Sequence, residues 1–360
     1  MSTYSPVEFP PTQTLETDAV LRALVPAHRY LAELKGLART IPNEGLLIST
    51  LSLQEAQSSS EIENIITTQD ALYKYQIQPN SADPVSKEVA HYAQGLEIGF
   101  RQVRESSLLT LNTILSVQAA LEGNDAGFRK TPGTVLKNEQ SGAVVYQPPA
   151  PQLVPGLMAQ LEQFIHADNP LDPLVKMALI HHQFETIHPF YDGNGRTGRI
   201  INILYLVKEE LLDTPILYLS RYISQSKAEY YRGLQQVREY NAWEDWLVYM
   251  LQGVAVTARH TSDLVQRIGM LLQQHKQQIR RDYRFYSQDL INNIFRHPYT
   301  KVAFLEHDLK VSRATATRYL DTLAKDGILG KQRLGRENYY INHALVALLF
   351  NLSELDRQSL

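Results

Sequence analysis

The 360-residue sequence contains no cysteine, which excludes disulfides and thiolate metal sites. Neither charge is in excess: 35 Lys and Arg stand against 38 Asp and Glu, so any surface suited to nucleic acid must be local. No run approaches the ~18 apolar residues of a membrane span, and Met1 to Gln13 lacks a basic segment leading into an apolar one. Strand-like alternation is scarce. These absences leave a soluble, mainly α-helical protein, with no membrane contact and a reducing cytoplasm as the expected setting. A hydrophobic content of 44% over this length supports two or three cores.

What is present is concentrated in His188-Pro189-Phe190-Tyr191-Asp192-Gly193-Asn194-Gly195-Arg196-Thr197-Gly198-Arg199. These twelve residues hold an imidazole that titrates near neutrality, a carboxylate, three glycines and two guanidinium groups. That is phosphate-site chemistry. Gly193, Gly195 and Gly198 permit positive φ and close approach, so that backbone N–H groups can converge on an anion. The apolar run Ile200 to Val207 continues as a helix whose N-terminus faces the same anion. Arg196 and Arg199, three apart, share one face and can each grip phosphate oxygens. Asp192, at the lip, suits a Mg²⁺ shared with that phosphate. His188 is placed to take a proton from an attacking group.

Three other readings compete. Gly193-x-Gly195-x-x-Gly198 also satisfies the dinucleotide fingerprint, but that needs a preceding strand. Pro173 to Ile187 instead carries Leu174, Met177, Ala178, Ile180, His181, Phe184 and Ile187 at helical spacing. A zinc site from His181, His182, His188 and Asp192 matches no common ligand spacing. A merely capped helix leaves two arginines beside a nest unexplained.

The stretch resembles the signature of the Fic family of AMP-transferring enzymes, His-Pro-Phe-x-Asp/Glu-Gly-Asn-Gly-Arg-x-x-Arg, with every fixed position matched. The resemblance implies that His188 is the general base toward a protein hydroxyl and that Asp192 holds Mg²⁺. It also implies that Gly193, Asn194, Gly195, Arg196, Thr197, Gly198 and Arg199 receive ATP, Gly193 to Gly195 forming the anion hole. Phe190 anchors the loop in the core.

Upstream, Ser58 to Ser60 read by themselves as an N-cap cluster, with Glu61 and Glu63 in the first turn that follows. The stretch also resembles the family's inhibitory motif, Ser/Thr-x-x-x-Glu-Gly/Asn, through Ser59, Glu63 and Asn64. On that reading Glu63 pairs with Arg199 and withholds it from the γ-phosphate, so the brake lies in the same chain.

Taken in order, residues 1–16 read as an extended arm. Helices are expected from Thr17 to Pro42, over Glu44 to Gln54, Lys87 to Arg101, Leu108 to Leu121, Leu153 to Ala167 and Pro173 to Ile187. Residues 78–88, with Pro79, Asn80 and Ser81, read as a turn-rich connector. Val135-Leu136 and Ala143 to Tyr146 suggest a hairpin around Asn138 to Gly142. In the family such a flap holds the target by strand addition, which nominates the backbone of Val144, Val145 and Tyr146. Tyr230 and Tyr231 resemble the adenine-side helix, although the asparagine some relatives carry is Arg238 here. Trp243 to Leu251 close that domain, and Thr257 to Arg284 read as a separate connecting helix.

Beyond it, helices over Leu290 to Phe295, Val302 to Leu309 and Ser312 to Lys325, then a basic hairpin Lys331 to Arg336, resemble a winged helix-turn-helix. From Ser312 to Arg336 six basic residues (313, 318, 325, 331, 333, 336) face Asp321 and Asp326, a local +4. DNA and a docked protein both remain open as partners.

The expected architecture is therefore a helical regulatory region (1–88), a Fic-type helical core with a β-hairpin flap (89–255), a connecting helix (256–286) and a C-terminal winged helix-turn-helix (287–360). The function implied is AMP transfer from ATP and Mg²⁺ to a Ser, Thr or Tyr hydroxyl of a protein substrate, itself included. Alternatives are hydrolytic removal of AMP with Glu63 aligning a water, and a DNA-binding regulator whose nucleotide site is a sensor. A homodimer is left open.

Overall fold

The computed structural model describes residues 4–78, 83–137, 142–334 and 337–350. Pro79, Asn80 and Ser81 of the connector, Asn138 to Ser141 at the flap turn and Arg336 of the basic hairpin lie outside the described residues. Helices dominate: α1 (Asp18–Ala38), α2 (Glu44–Ile62), α3 (Gln69–Ile77), α4 (Pro84–Ser106), α5 (Leu111–Glu122), α6 (Val154–His166), α7 (Pro173–Ile187) and α8 (Asn194–Lys208). They continue as α9 (Leu219–Gln225), α10 (Lys227–Tyr240), α11 (Trp243–Asp282), α12 (Gln288–Arg296), α13 (Val302–Leu309), α14 (Arg313–Lys325) and α15 (His343–Phe350). Strands β1 (Leu136–Lys137) and β2 (Val144–Tyr146) form the expected antiparallel hairpin. No described helix is long and apolar enough to cross a membrane.

Local chemistry fixes most of these boundaries. Thr17, Thr68, Asp83, Thr110, Asp172, Ser287 and Ser312 cap their helices with a side-chain oxygen that accepts a first-turn N–H. Pro84 and Pro173 stand in first turns, where a missing N–H costs nothing.

Two of the expected boundaries fall within helices. The boundary at 88–89 falls inside α4, and that at 255–256 inside α11, which runs as one helix of 40 residues. No proline interrupts the latter, and Gly253, where a break could have fallen, is pressed against Tyr222 and Leu219 of α9. A second difference is α2, which continues past Gln54 to Ile62. Ser58 to Ser60 are its last turn and Glu63 its C-cap, not the start of a new helix.

Helix α7 is the centre of the molecule. Every residue from Leu174 to Ile187 is buried, as a helix surrounded on all sides must be. It packs against α6, α8 and α11, while α1 lies along α11 and α8 is covered by α4 and α5. The N-terminal arm is tied down as well, for Phe9 is buried against Phe164 and Tyr4 bonds to Gln183.

After α11, the order α12, β3 (Tyr299–Lys301), α13, α14, β4 (Gly330–Leu334), β5 (Glu337–Ile341) builds a three-stranded antiparallel sheet with β5 in the middle. This is the succession of a winged helix-turn-helix. It sits on α2 and α3. Ser49 donates to the Arg296 carbonyl at 2.9 Å, Gln54 to the Leu349 carbonyl at 3.0 Å, and the Tyr299 hydroxyl to Asp70 at 2.7 Å.

The approach of α4 to α5 and α8 depends on Gly99, where a Cβ would lie 2.5 Å from Leu204 and 2.8 Å from Val117. Gly99→Val is expected to destabilise the chain by about 1–3 kcal/mol through overpacking, read as a lower midpoint in denaturant unfolding.

Candidate active site

Helix α7 ends at His188, whose backbone is left-handed with φ 49° and ψ 62°. A non-glycine residue in that region costs about 1 kcal/mol or more. The surroundings impose it. Arg129, itself 2% exposed, donates through Nε to the His188 carbonyl at 2.8 Å and through Nη2 to the Ile187 carbonyl at 3.3 Å and the Pro149 carbonyl. Asn194 clamps the turn from the other side, accepting from the Phe190 N–H at 2.8 Å and donating to its carbonyl at 2.9 Å. Phe190 is fully buried, as expected of an anchor.

Only Gly193 among the three motif glycines takes positive φ, at 74°, and it caps α8. The helix therefore begins at Asn194, six residues earlier than the apolar run suggests. Gly195 and Gly198 serve close approach instead. A Cβ on Gly195 would collide with Glu63, one on Gly198 would meet Glu185 Oε1 at 2.6 Å, and one on Gly193 would meet Glu122.

The two arginines diverge, contrary to the expectation of one shared face. Arg196 pairs with Glu88 at 2.7 Å and Glu122 at 3.0 Å. Its guanidinium ties the loop to α4 and α5. Arg199, with 1% of its side chain exposed, donates through Nε to Ser59 Oγ at 2.8 Å. Its Nη2 reaches the Ser59 carbonyl and Glu63 Oε1, both at 2.9 Å. Burial opposes its charge, but Glu63 and its other anionic neighbours hold the guanidinium protonated above its ordinary value. Asn64, left-handed at φ 61°, accepts from Lys227 at 3.1 Å.

Burial drives His188 down to about 4, with Arg238 and Arg129 adding to the fall. The imidazole is neutral at pH 7 and able to accept a proton, and its Nδ1 is buried without a partner. Burial raises Glu185 to about 7. His181, brought to about 3 chiefly by burial, contacts Tyr230 Oη at 2.8 Å, and His182 contacts the Leu234 carbonyl at 3.2 Å. Among the described residues no group of three His, Asp or Glu could hold a metal, so the zinc alternative finds no ligand set.

Asp192 is exposed at the lip, one oxygen accepting from the Gly193 N–H at 2.7 Å. A single outward carboxylate beside a helix N-terminus fits a Mg²⁺ that arrives with phosphate oxygens, not a resident cage. Thr197 is buried and donates its backbone N–H to the Gly193 carbonyl at 2.9 Å.

Tyr230 is buried among Trp246, Tyr249 and His181 and shows no ring face to solvent, so of the tyrosine pair only Tyr231 is exposed. In the flap, Val144 and Val145 are exposed, and the Val145 carbonyl accepts from Gln235 at 3.1 Å. Tyr146 points inward, its hydroxyl on the Thr186 carbonyl at 2.9 Å and its ring 3.9 Å under Arg238. Arg238 also donates to the Glu185 carbonyl at 3.1 Å. It thus joins flap, α10 and the end of α7.

The site thus brings a buried neutral imidazole and a helix N-terminus, which favours anions, together in a helical protein. The Fic/DOC family model matches residues 108–206, the Fic/DOC family N-terminal model residues 21–101, and the model for the C-terminal domain of SoFic-like protein adenylyltransferases residues 271–345. The chain belongs to the Fic family. A probable protein adenylyltransferase of Aquifex aeolicus is 28% identical over 177 residues, 48% of this chain and 53% of that protein. The protein adenylyltransferase Fic of Drosophila grimshawi is 26% identical over 189 residues, 50% of this chain and 37% of that one. The chain thus spans about half or less of the length of these relatives. Among solved structures, a Fic family protein from Desulfovibrio desulfuricans G20 superposes with a TM-score of 0.57 at 22% identity, covering 92% of this chain and 98% of that one. A Fic domain containing signaling protein from Bacteroides thetaiotaomicron gives 0.56 at 19%, covering 68% and 98%. These likenesses concern the fold.

His188 is expected to titrate near 4 in a ring-proton NMR experiment. In Arg238→Gln its value moves up toward that of an ordinary buried histidine, because a cation facing the ring has been removed.

Proposed function

We propose that the chain transfers AMP from ATP to a Ser, Thr or Tyr hydroxyl of a protein, itself included, and that Glu63 restrains the reaction. The observation that carries this is the contact of Glu63 with Arg199 at the start of α8, four residues beyond the nest and eleven beyond a neutral His188. A carboxylate there occupies the region to which the helix N-terminus would draw phosphate.

In the reaction, the ATP phosphates lie over the N–H groups of Gly193 to Gly195. The hydroxyl oxygen attacks the α-phosphorus in line, its bond forming as the α–β bridging bond breaks and pyrophosphate leaves. His188 takes the hydroxyl proton. Asp192 would hold Mg²⁺, which when bound offsets the negative charge on the leaving phosphates. Arg199 orients the γ-phosphate, while Arg196 serves through Glu88 and Glu122 to keep the nest in place. Tyr231 faces the nucleobase, and the backbone of Val144 to Tyr146 aligns the target segment. Most of the rate would come from positioning and electrostatic stabilisation.

With Glu63 on Arg199, ATP enters with its phosphates in another register, and misplacement of about 1 Å costs on the order of a hundredfold. Glu63→Gly is therefore expected to raise AMP incorporation by at least about tenfold, read by intact mass after incubation with ATP and Mg²⁺. His188→Ala abolishes incorporation in either background, and Glu63→Gly with Arg199→Ala behaves as Arg199→Ala. Unchanged transfer in Glu63→Gly, with loss of AMP removal from a modified protein, would assign Glu63 to hydrolysis instead.

For the winged helix, the observation is that Arg313 and Arg318 are exposed on α14, whose buried residues are Ala316, Leu320 and Leu323. A DNA duplex fits that face. Neutralising both arginines should reduce the salt dependence of duplex binding by the full chain by about one unit of log–log slope per lost phosphate contact. Absence of binding at low salt would favour a protein partner.

A further inference from the structure

Glu185 has no part in the proposed transfer. This residue lies on α7, three positions before His188, and is 7% exposed. Its Oε1 is shut off from solvent and makes no hydrogen bond. That oxygen lies against the first turn of α8, 2.6 Å from where a Cβ on Gly198 would stand. On the same turn Arg199 commits Nε and Nη2 to Ser59 and Glu63, whereas no described residue accepts a hydrogen bond from Nη1. Nη1 stands 3.0 Å from the corresponding point on Gly195, one turn before Gly198. A buried carboxylate oxygen without a partner and a guanidinium nitrogen without an acceptor among the described residues therefore lie along one glycine-lined strip of α8.

We infer that Glu185 is a positioning residue for Arg199: once Glu63 withdraws, the Glu185 carboxylate holds Nη1 and leaves Nη2 directed at the phosphate that takes the place of Glu63. The inference rests on the proposed role of Glu63. A guanidinium at 1% exposure that loses its only paired carboxylate would be an uncompensated buried charge, which is strongly unfavourable. Glu185 is already at hand. The groups facing it are Arg199 from α8, Glu63 from the end of α2, and Arg238 and Tyr230 from α10, with His181 beside it on α7. Burial favours its neutral form, Arg199 and Arg238 favour the ionised one, and Glu63 opposes ionisation. When Glu63 departs, Arg199 and Arg238 remain to favour the ionised carboxylate, against burial and the charge of the incoming phosphate.

The test is nucleotide affinity by calorimetry on the full chain with Mg²⁺, comparing ATP with ADP in Glu63→Gly and in Glu63→Gly/Glu185→Gln. The amide is isosteric, so a space-filling role would be preserved. Losing the orientation of Arg199 should weaken ATP by about tenfold, the worth of one charge-assisted hydrogen bond, and ADP by no more than about twofold. Glu185→Asp, which keeps the charge at shorter reach, gives an intermediate ATP affinity and serves as the test if the amide fails to fold. Parallel weakening of both nucleotides, or no change in either, overturns the inference. AMP transfer by Glu63→Gly is measured on the same preparation. A failure of the restraint shows there as unchanged transfer, separately from the ATP to ADP ratio that reports on Glu185.

Discussion

The structure depends on a buried positive charge. Arg199 is almost fully enclosed by protein, and a guanidinium taken out of water must be surrounded by acceptors or leave the fold unstable. Its acceptors come from the last turn of α2, so α2 has to extend to the N-terminus of α8. The three motif glycines are best understood from the same charge pattern. Gly193 faces Glu122, Gly195 faces Glu63 and Gly198 faces Glu185, so each leaves room for a carboxylate against the start of the helix. Those acids accumulate there for the reason a phosphate would. The first turn of α8 carries unsatisfied N–H groups, two arginines and the positive end of the dipole.

The proton acceptor is prepared by other means. His188 is neutral because it is buried and because Arg238 and Arg129 face it, and its position is set by the end of α7 more than by its own contacts. Arg129 and Asn194 hold the backbone on either side of the turn through carbonyl and N–H groups. Arg238 has a further part, linking flap residue Tyr146 to the carbonyl of Glu185. Arg238 thus bridges the flap and the segment that carries the imidazole.

How much of this was legible in the sequence follows from where each constraint is encoded. The loop and its anchor Phe190 could be anticipated from one short pattern, whereas the approach of Glu63 to Arg199, 136 residues apart, was accessible only through the resemblance to the family's inhibitory motif. The divergence of Arg196 and Arg199 on the first turns of α8 could not be anticipated, since their spacing alone gives them one face and remote partners pull them apart. Ser58 to Ser60 resembled a cap and are instead the end of α2, because local hydrogen-bonding preference cannot tell the two ends of a helix apart when a tertiary partner decides. The partners of Arg196 come from α4 and α5, 108 and 74 residues away in sequence, and no local signal points to them. Glu185 carried one usable signal, its spacing of three from His188 on a helix.

The position of Glu63 also determines how the proposed restraint would be relieved. Upstream of it, α2 is fastened by Glu55, which accepts from Tyr92, Ser220 and the Ser220 N–H, and by Gln54 and Ser49 on the winged helix. Withdrawing the whole helix would break all of these and expose its buried leucines, a cost of many kcal/mol. Glu63, by contrast, is the C-cap, 35% exposed, and is followed by a left-handed Asn64. Releasing it requires only that the last turn open while Arg199 passes to another anion, since the buried guanidinium left unpaired would cost on the order of 3–5 kcal/mol. Helix termini open far more readily than their interiors. On the proposed function, the restraint would be carried by the part of α2 that can move without the rest, and a phosphate reaching Arg199 would replace the one acceptor that this movement removes.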